Sequence, residues 1–216
     1  MISVILLMAG KGKRCGLDKN KILYKLGNKP IYRYSLDLFL KYDFEIICVV
    51  NKDDLDELKD KLPKNVKIVL GGKERYDSVL NGIKEAKGDY LIIHDSARPF
   101  LDKKIIDEIL NIKNDTNCIL TYMDAKDTIK INDNKLTSLD RSKLILATTP
   151  QAGPKNIILD SYLKKEENKI FTDDISLVEY YHPEVKIDLI KSNDENFKIT
   201  KEIDLKLASL IWREYD

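Results

Sequence analysis

The feature that most constrains the fold is a recurrence. Short, nearly uninterrupted apolar runs return along the chain: ISVILLM (2–8), FEIICVV (44–50), VKIVLG (66–71), DYLIIHD (89–95), NCILTYM (117–123) and VKIDLIK (185–191). A strand that is apolar at successive positions has to be covered on both faces, because its side chains alternate between them. The segments between carry helical spacing instead: Leu55, Leu58 and Leu62; Val79, Leu80, Ile83 and Ala86; Ile105, Ile106, Ile109 and Leu110 behind Asp102 as a cap. Alternating strand and helix predicts an α/β fold, a mostly parallel sheet with right-handed crossovers and helices on both faces. Its ligand should lie outside the carboxyl ends of the strands. With 216 residues and no repeat or Pro/Gly/Ser-rich linker, one domain over 1–216 is expected.

One region breaks the alternation. In residues 124–151 an alternating DTIKI leads into a polar NDNK turn and then LILATT, the pattern of a protruding hairpin or arm, at about 124–147. A long exposed hairpin is marginal alone and presents edges that invite pairing, so it suits the embrace of a second subunit, although an ordinary surface hairpin has the same pattern. The segment 200–215 places Ile203, Leu207, Leu210 and Ile211 on one helical face, and predicts a closing helix packed on the sheet.

Charge excludes some partners. The 37 basic and 36 acidic side chains nearly cancel, so any basic site has to be local, and neither a nucleic acid nor a membrane surface is an expected partner. Cys15, Cys48 and Cys118 are odd in number and widely spaced, which argues against a disulfide framework or a zinc site and for reduced thiols. The apolar runs fall short of the roughly 18 residues of a membrane helix, and no secretory signal pattern opens the chain; a cytoplasmic protein is expected.

The loop after the first strand, MAGKGKRCG (8–16), concentrates glycines and cations. As G-K-G-K-R-C-G it misses the dinucleotide fingerprint by one residue, and no Lys-Ser or Lys-Thr pair completes a P-loop. What remains is physical: Gly10, Gly12 and Gly16 let backbone N–H groups approach an anion, beside Lys11, Lys13, Arg14, Lys19 and Lys21. A polyphosphate fits; taken singly, each of these residues fits a solvated turn as well. Paired glycines also follow the third strand, in GGKERYDSVLNGI (71–83), where a helix opens with Arg75 and Ser78 near its N-terminus, the end that favours anions. HDSARPF (94–100) puts Asp95 at the end of an apolar strand, placed for Mg²⁺ or ligand hydroxyls, or for capping the next turn. TTPQ (148–151), FTDD (171–174) and NFKIT (196–200) add hydroxyls, carboxylates and Lys198 at or near element ends.

In this order AGKGKR, Lys21, GGKERYDSVLNG, HDSARPF, KDT, DRSKLILATTPQ, FTDD and NFKIT resemble one family along nearly the whole chain, the 2-C-methyl-D-erythritol 4-phosphate cytidylyltransferases of isoprenoid biosynthesis. The resemblance implies a Rossmann-like sheet with a β-hairpin arm, a homodimer in which each arm helps complete the partner's site, and transfer of CMP from CTP to methylerythritol phosphate with Mg²⁺. By position it implies Ala9, Gly10, Gly72 and Ser78 around the cytidine, with Gly12 and Arg75 alongside in the nucleotide-binding set. Arg14 and Lys21 match the cations on the triphosphate, and Lys198 a further catalytic lysine. Asp95, Arg98, Thr128, Arg141, Thr149 and Thr172 fall where the sugar-alcohol phosphate binds, Thr128 and Arg141 reaching across the dimer. Lys11 and Lys13 are read as solvated.

The chain departs from that pattern in places. Asn20 stands before Lys21 where proline is common, which removes a rigid element ahead of a catalytic residue. Lys73 follows the paired glycines where many members have Asp, and Ser96 replaces a frequent alanine. HDS also occurs in a sister family that cytidylates ribitol 5-phosphate, which is the alternative reading. A nucleotide-binding protein of the same fold without catalysis is a third.

Overall fold

The computed structural model describes residues 1–10 and 20–215. Its strands in chain order are β1 (Ile2–Leu7), β2 (Lys25–Leu26), β3 (Lys29–Pro30), β4 (Glu45–Val50), β5 (Lys67–Leu70), β6 (Tyr90–Asp95), β7 (Asn117–Asp124), β8 (Lys130–Asn132), β9 (Leu136–Ser138), β10 (Ile145–Pro154) and β11 (Lys186–Lys191). Seven form the central sheet, in the order β11-β7-β10-β6-β1-β4-β5. Neighbours are parallel except where β10 intervenes, antiparallel to both β6 and β7. The six apolar runs of the sequence all become strands of this sheet.

Helices α1 (Ile31–Phe39), α2 (Leu55–Lys59), α3 (Arg75–Glu85), α4 (Lys103–Ile112), α5 (Lys155–Lys164), α6 (Asp174–Tyr181) and α7 (Glu202–Ile211) complete the fold. The strand pleat divides each apolar run between two cores. Val4, Leu6, Cys48, Val50 and Ile92 pack with Leu36 and Phe39 of α1, Leu58 of α2 and Ile106 and Ile109 of α4. Ile5, Ile47, Val49, Leu91 and Ile93 pack on the other face with Val79 and Ile83 of α3, Tyr162 of α5 and Val178 of α6. Asp102 caps α4, its carboxylate accepting from the Lys104 N–H at 2.9 Å.

Two expectations need correction. The hairpin beyond the sheet pairs β8 with β9, so LTS rather than LILATT is its second strand. Residues 145–147 instead extend the sheet by pairing with 122–124, and β10 continues to Pro154 in its centre. Burial decides this: Gln151–Pro154 is enclosed between β6 and β7, whereas β8 and β9 are exposed throughout. The closing helix α7 also turns a different face inward. Leu205 and Ala208 are buried in a separate cluster with Leu26, Ile31, Tyr34, Phe100 and Ile199, away from the two sheet cores. Ile203, Leu207 and Leu210 are exposed. The helix start fixes the choice, because the Asp204 carboxylate accepts from the Thr200 and Lys201 N–H groups, each at 2.7 Å. Among the described residues no helix is long and apolar enough to cross a membrane.

Candidate active site

Parallel strands end on one side, so β1, β4, β5 and β6 deliver their following loops to a common edge of the sheet. A cavity of about 590 Å³ lies there. Ala9 and Gly10 reach it from β1, Asn51 from β4, Gly71 and Gly72 from β5 and Asp95 from the end of β6. Lys21, Arg75, Ser78 and Lys198 complete it, with Lys52, Lys73 and Glu74 also in its wall. Eight of the residues singled out in the sequence thus share one space: Ala9, Gly10, Lys21, Gly72, Arg75, Ser78, Asp95 and Lys198. Gly12 and Arg14, with Lys11, Lys13, Cys15, Gly16 and Lys19, lie outside the described residues.

The glycines do different work. A Cβ at Gly10 would meet nothing within 4 Å among the described residues, so packing against them does not demand the glycine. A Cβ at Gly72 would come within 2.1 Å of Asp77 Cβ, so there the missing side chain lets the loop close onto α3. That loop is braced by Ser78, whose hydroxyl accepts from the Gly72 N–H at 3.1 Å and donates to the Glu74 carbonyl at 3.1 Å. Ser78 therefore shapes the wall as well as lining it.

Asp95 is the electrostatic centre. Lys198 Nζ lies 2.8 Å from its Oδ2, Arg75 Nε 3.5 Å from Oδ1 and Arg98 Nε 3.9 Å from Oδ2. Burial opposes its charge, but Arg75, Lys198 and Arg98 outweigh that and hold the carboxyl well below the usual range. Arg75 in turn is forked onto Asp174, whose oxygens accept at 2.7 and 2.8 Å and also from Tyr162 Oη at 2.5 Å. Burial works against the guanidinium charge, and Asp174 more than compensates, raising its pKa. Asp174 and Ile175 N–H groups donate to Gln151 Oε1 at 2.9 and 3.0 Å. Of the described charged residues lining the cavity, Lys21, Lys52, Lys73, Arg75 and Lys198 stand against Glu74 and Asp95, an excess of positive charge that selects anions.

Thr149 sits behind Asp95, not in the cavity wall. Three residues of β10, Thr148 to Pro150, stand opposite Thr121 alone, because Ala147 pairs with Tyr122 and Gln151 with Leu120. This bulge turns the Thr149 hydroxyl to accept from the Asp95 N–H at 3.0 Å, leaving its proton for His94 Nδ1 at 3.1 Å. His94 Nε2–H then donates to the Arg98 carbonyl at 3.1 Å, which assigns the tautomer. Arg98 itself donates to the Asn196 carbonyl at 2.7 Å. Thr172 is exposed just before Asp173, which caps α6. Thr128 and Arg141 are exposed on the arm and do not line this cavity; Arg141 donates to the Lys126 carbonyl at 2.6 Å.

Sequence reasoning missed Asn51, which caps the turn after β4, and gave no role to Gln151, Tyr162 and Asp174. Gln151 and Asp174 stand in the TTPQ and FTDD stretches, so the polar residue ending each was the available signal. Tyr162 offers none, since its partner is twelve residues away across a loop.

The family model for 2-C-methyl-D-erythritol 4-phosphate cytidylyltransferase matches residues 2–214. Enzymes of that name from Clostridioides difficile strain 630 and Clostridium botulinum strain Eklund 17B are 37% and 41% identical, each over 98% of this chain and over 93% and 99% of their own lengths. The solved 4-diphosphocytidyl-2C-methyl-D-erythritol synthase of Anaerococcus prevotii superposes with a TM-score of 0.86 at 29% identity, over 99% of this chain and 98% of that one.

Proposed function

The chain belongs to the 2-C-methyl-D-erythritol 4-phosphate cytidylyltransferase family, and on that premise we propose how its cavity carries out the reaction. The protein is a nucleotidyltransferase that transfers CMP from CTP to 2-C-methyl-D-erythritol 4-phosphate, releasing pyrophosphate and forming 4-CDP-2-C-methyl-D-erythritol. A phosphate oxygen of the acceptor bonds to the α-phosphorus of CTP as the α–β bridging P–O bond breaks, and pyrophosphate leaves with that electron pair. The attacking oxygen is already anionic, so no general base is needed. Catalysis reduces to aligning two anions and neutralising charge that develops at the α-phosphorus.

The observation that carries this reading is the meeting of Lys21 and Lys198 with the Gly10 backbone in one cavity. Ala9, Gly10, Gly72 and Ser78 hold the cytidine, and Gly12 and Arg75 complete the nucleotide-binding set, Arg75 adding charge. Arg14, Lys21 and Lys198 neutralise the charge that develops on the phosphates in the transition state. Asp95 accepts from the acceptor's hydroxyls and Arg98 and Thr172 hold its phosphate end, while Thr149, whose hydroxyl is taken up by the Asp95 N–H and His94, acts from behind by fixing Asp95. Thr128 and Arg141 serve the site of a second subunit, which the exposed arm embraces; guanidinium suits a phosphate because it forms a fork. The enzyme works in the cytoplasm.

The triphosphate would carry Mg²⁺ with it. Among the described residues no cluster of three metal-ligating side chains is present; Asp95 is the buried carboxylate of the cavity lining that would meet such an ion. Mg²⁺ prefers one or two carboxylates completed by phosphate oxygens and water, and this donor set fits that habit. When bound, the ion withdraws charge from the phosphates.

Pyrophosphate release from CTP with purified protein tests the assignment. Turnover with methylerythritol phosphate and not with ribitol 5-phosphate is expected; the reverse would overturn it. Arg14→Ala and Arg141→Ala subunits mixed together should regain activity, since each hybrid can assemble one intact site. No recovery would remove the shared site.

A further inference from the structure

We propose that Asn20, held by Asp54, is a positioning residue that sets Lys21 for catalysis and ties together the two ends of the glycine-lysine loop. The inference rests on the reading of Lys21 as a cation on the triphosphate. Asn20 is 6% exposed and precedes a single 3-10 turn, Lys21–Leu23, whose start it caps. Its Oδ1 accepts from the Ile22 N–H at 3.3 Å and its carbonyl from the Leu23 N–H at 3.0 Å. Its Nδ2 donates to the Met8 carbonyl at 3.1 Å and to Asp54 Oδ2 at 2.7 Å. Both of those partners are acceptors, so only one orientation of the amide satisfies the network.

The geometry has a functional direction. Met8 is where β1 gives way to the loop, and its own N–H is fixed on the Val49 carbonyl of β4 at 2.8 Å. Residue 20 is where the chain returns. One carboxamide therefore joins the exit and the return of the loop, and Asp54 ties that junction to the crossover after β4. Lys21, 8% exposed, follows directly and lines the cavity. A lysine has a long, rotamer-rich side chain, and fixing the backbone that carries it lessens the ordering left for the moment of reaction. The bond to Asp54 is the stronger of the two donated, because its acceptor is charged.

Steady-state turnover with CTP and methylerythritol phosphate tests the assignment. Asn20→Ala and Asp54→Ala should each lower kcat about tenfold, the rate equivalent of one or two lost hydrogen bonds, with little change in KM for the acceptor. Asp54→Asn keeps an acceptor oxygen and should recover most of the loss. In a Lys21→Gln background, Asn20→Ala should cost less than about twofold, since a residue acting through Lys21 has nothing left to position. An equal loss in both backgrounds, or no loss from either alanine variant, overturns the proposal. If Lys21→Gln alone turns over like the parent, the catalytic reading of Lys21 fails instead. Should Asn20→Ala not fold, half-buried Asp54 carries the same comparison.

Discussion

Lys198 Nζ donates a 2.8 Å hydrogen bond to Asp95 Oδ2 across 103 residues of chain. The segment that brings the lysine back is anchored beside the carboxylate, the Ile199 N–H donating to the Ala97 carbonyl at 2.9 Å. Lys198 therefore reaches the cavity on a fixed stem, and its charge is directed by a buried partner. With Arg75 and Arg98 it keeps Asp95 ionised in spite of burial.

Replacing Lys198 by Met keeps most of the stem and removes the charge. Turnover should fall at least about a hundredfold, in the range set by loss of one transition-state donor, while the protein stays folded. Pyrophosphate release at saturating CTP, with thermal melting as the folding check, measures it; a loss below threefold would remove Lys198 from the mechanism.

Asp174 is fully buried and its charge is matched by Arg75. Removing its carboxylate leaves the partly exposed Arg75 with Asp95 as its remaining acid and deprives the Tyr162 hydroxyl of its acceptor, so Asp174→Ala should cost about 2 to 3 kcal/mol of stability. Tyr162→Phe, which deletes one hydrogen bond to the same carboxylate, should cost about 1 kcal/mol. Urea unfolding gives both numbers, and an Asp174→Ala cost under 1 kcal/mol would mean that Arg75 is satisfied without it.

His94 makes stability depend on pH. Burial pushes its pKa down from 6.5 to about 4, with Asp95 and Arg98 as its charged neighbours. Between those values the unfolded chain binds a proton that the folded one excludes. Its contribution, on the order of 3 kcal/mol, is complete above about pH 6.5 and is lost as pH falls toward about 4. Asp95 adds a loss of the same sign only below its ordinary pKa of 3.8. Urea midpoints from pH 7.5 to 4.5 should decline, and more shallowly in His94→Leu; an unchanged slope in that variant would assign the decline to other groups.

Ser96 Oγ is buried with no hydrogen-bond partner among the described residues. A hydroxyl in that condition keeps its desolvation cost, so Ser96→Ala should stabilise the protein by about 1 kcal/mol. It should leave the preference for methylerythritol phosphate over ribitol phosphate unchanged. A destabilisation of similar size, read from urea unfolding, would show that the hydroxyl has a partner.

The six strands of mixed β-branched and leucine composition were legible because burial on both faces forces a nearly continuous apolar run, a local signal that survives any tertiary arrangement. The cavity's location followed from the same alternation, since parallel strands end together, and the ordered motifs named most of its lining. Position 20 read as the loss of a rigid proline; in three dimensions its amide makes three hydrogen bonds, and only the cap on Ile22 is local, those to Met8 and Asp54 lying outside any local pattern. β10 was misread because GlnAlaGlyPro has no strand periodicity and becomes a central strand only when β6 and β7 enclose it. The face of α7 was misjudged for a related reason: Leu205 with Ala208 and Ile203 with Leu207 offer two apolar stripes on one helix, and capping by Asp204 together with the Phe100 cluster selects the first. The sequence by itself thus determined which segments have to be buried and which chemistry they carry. The tertiary structure alone decided which partner buries each one, because burial is a property of a pair of surfaces and a chain pattern describes only one of them.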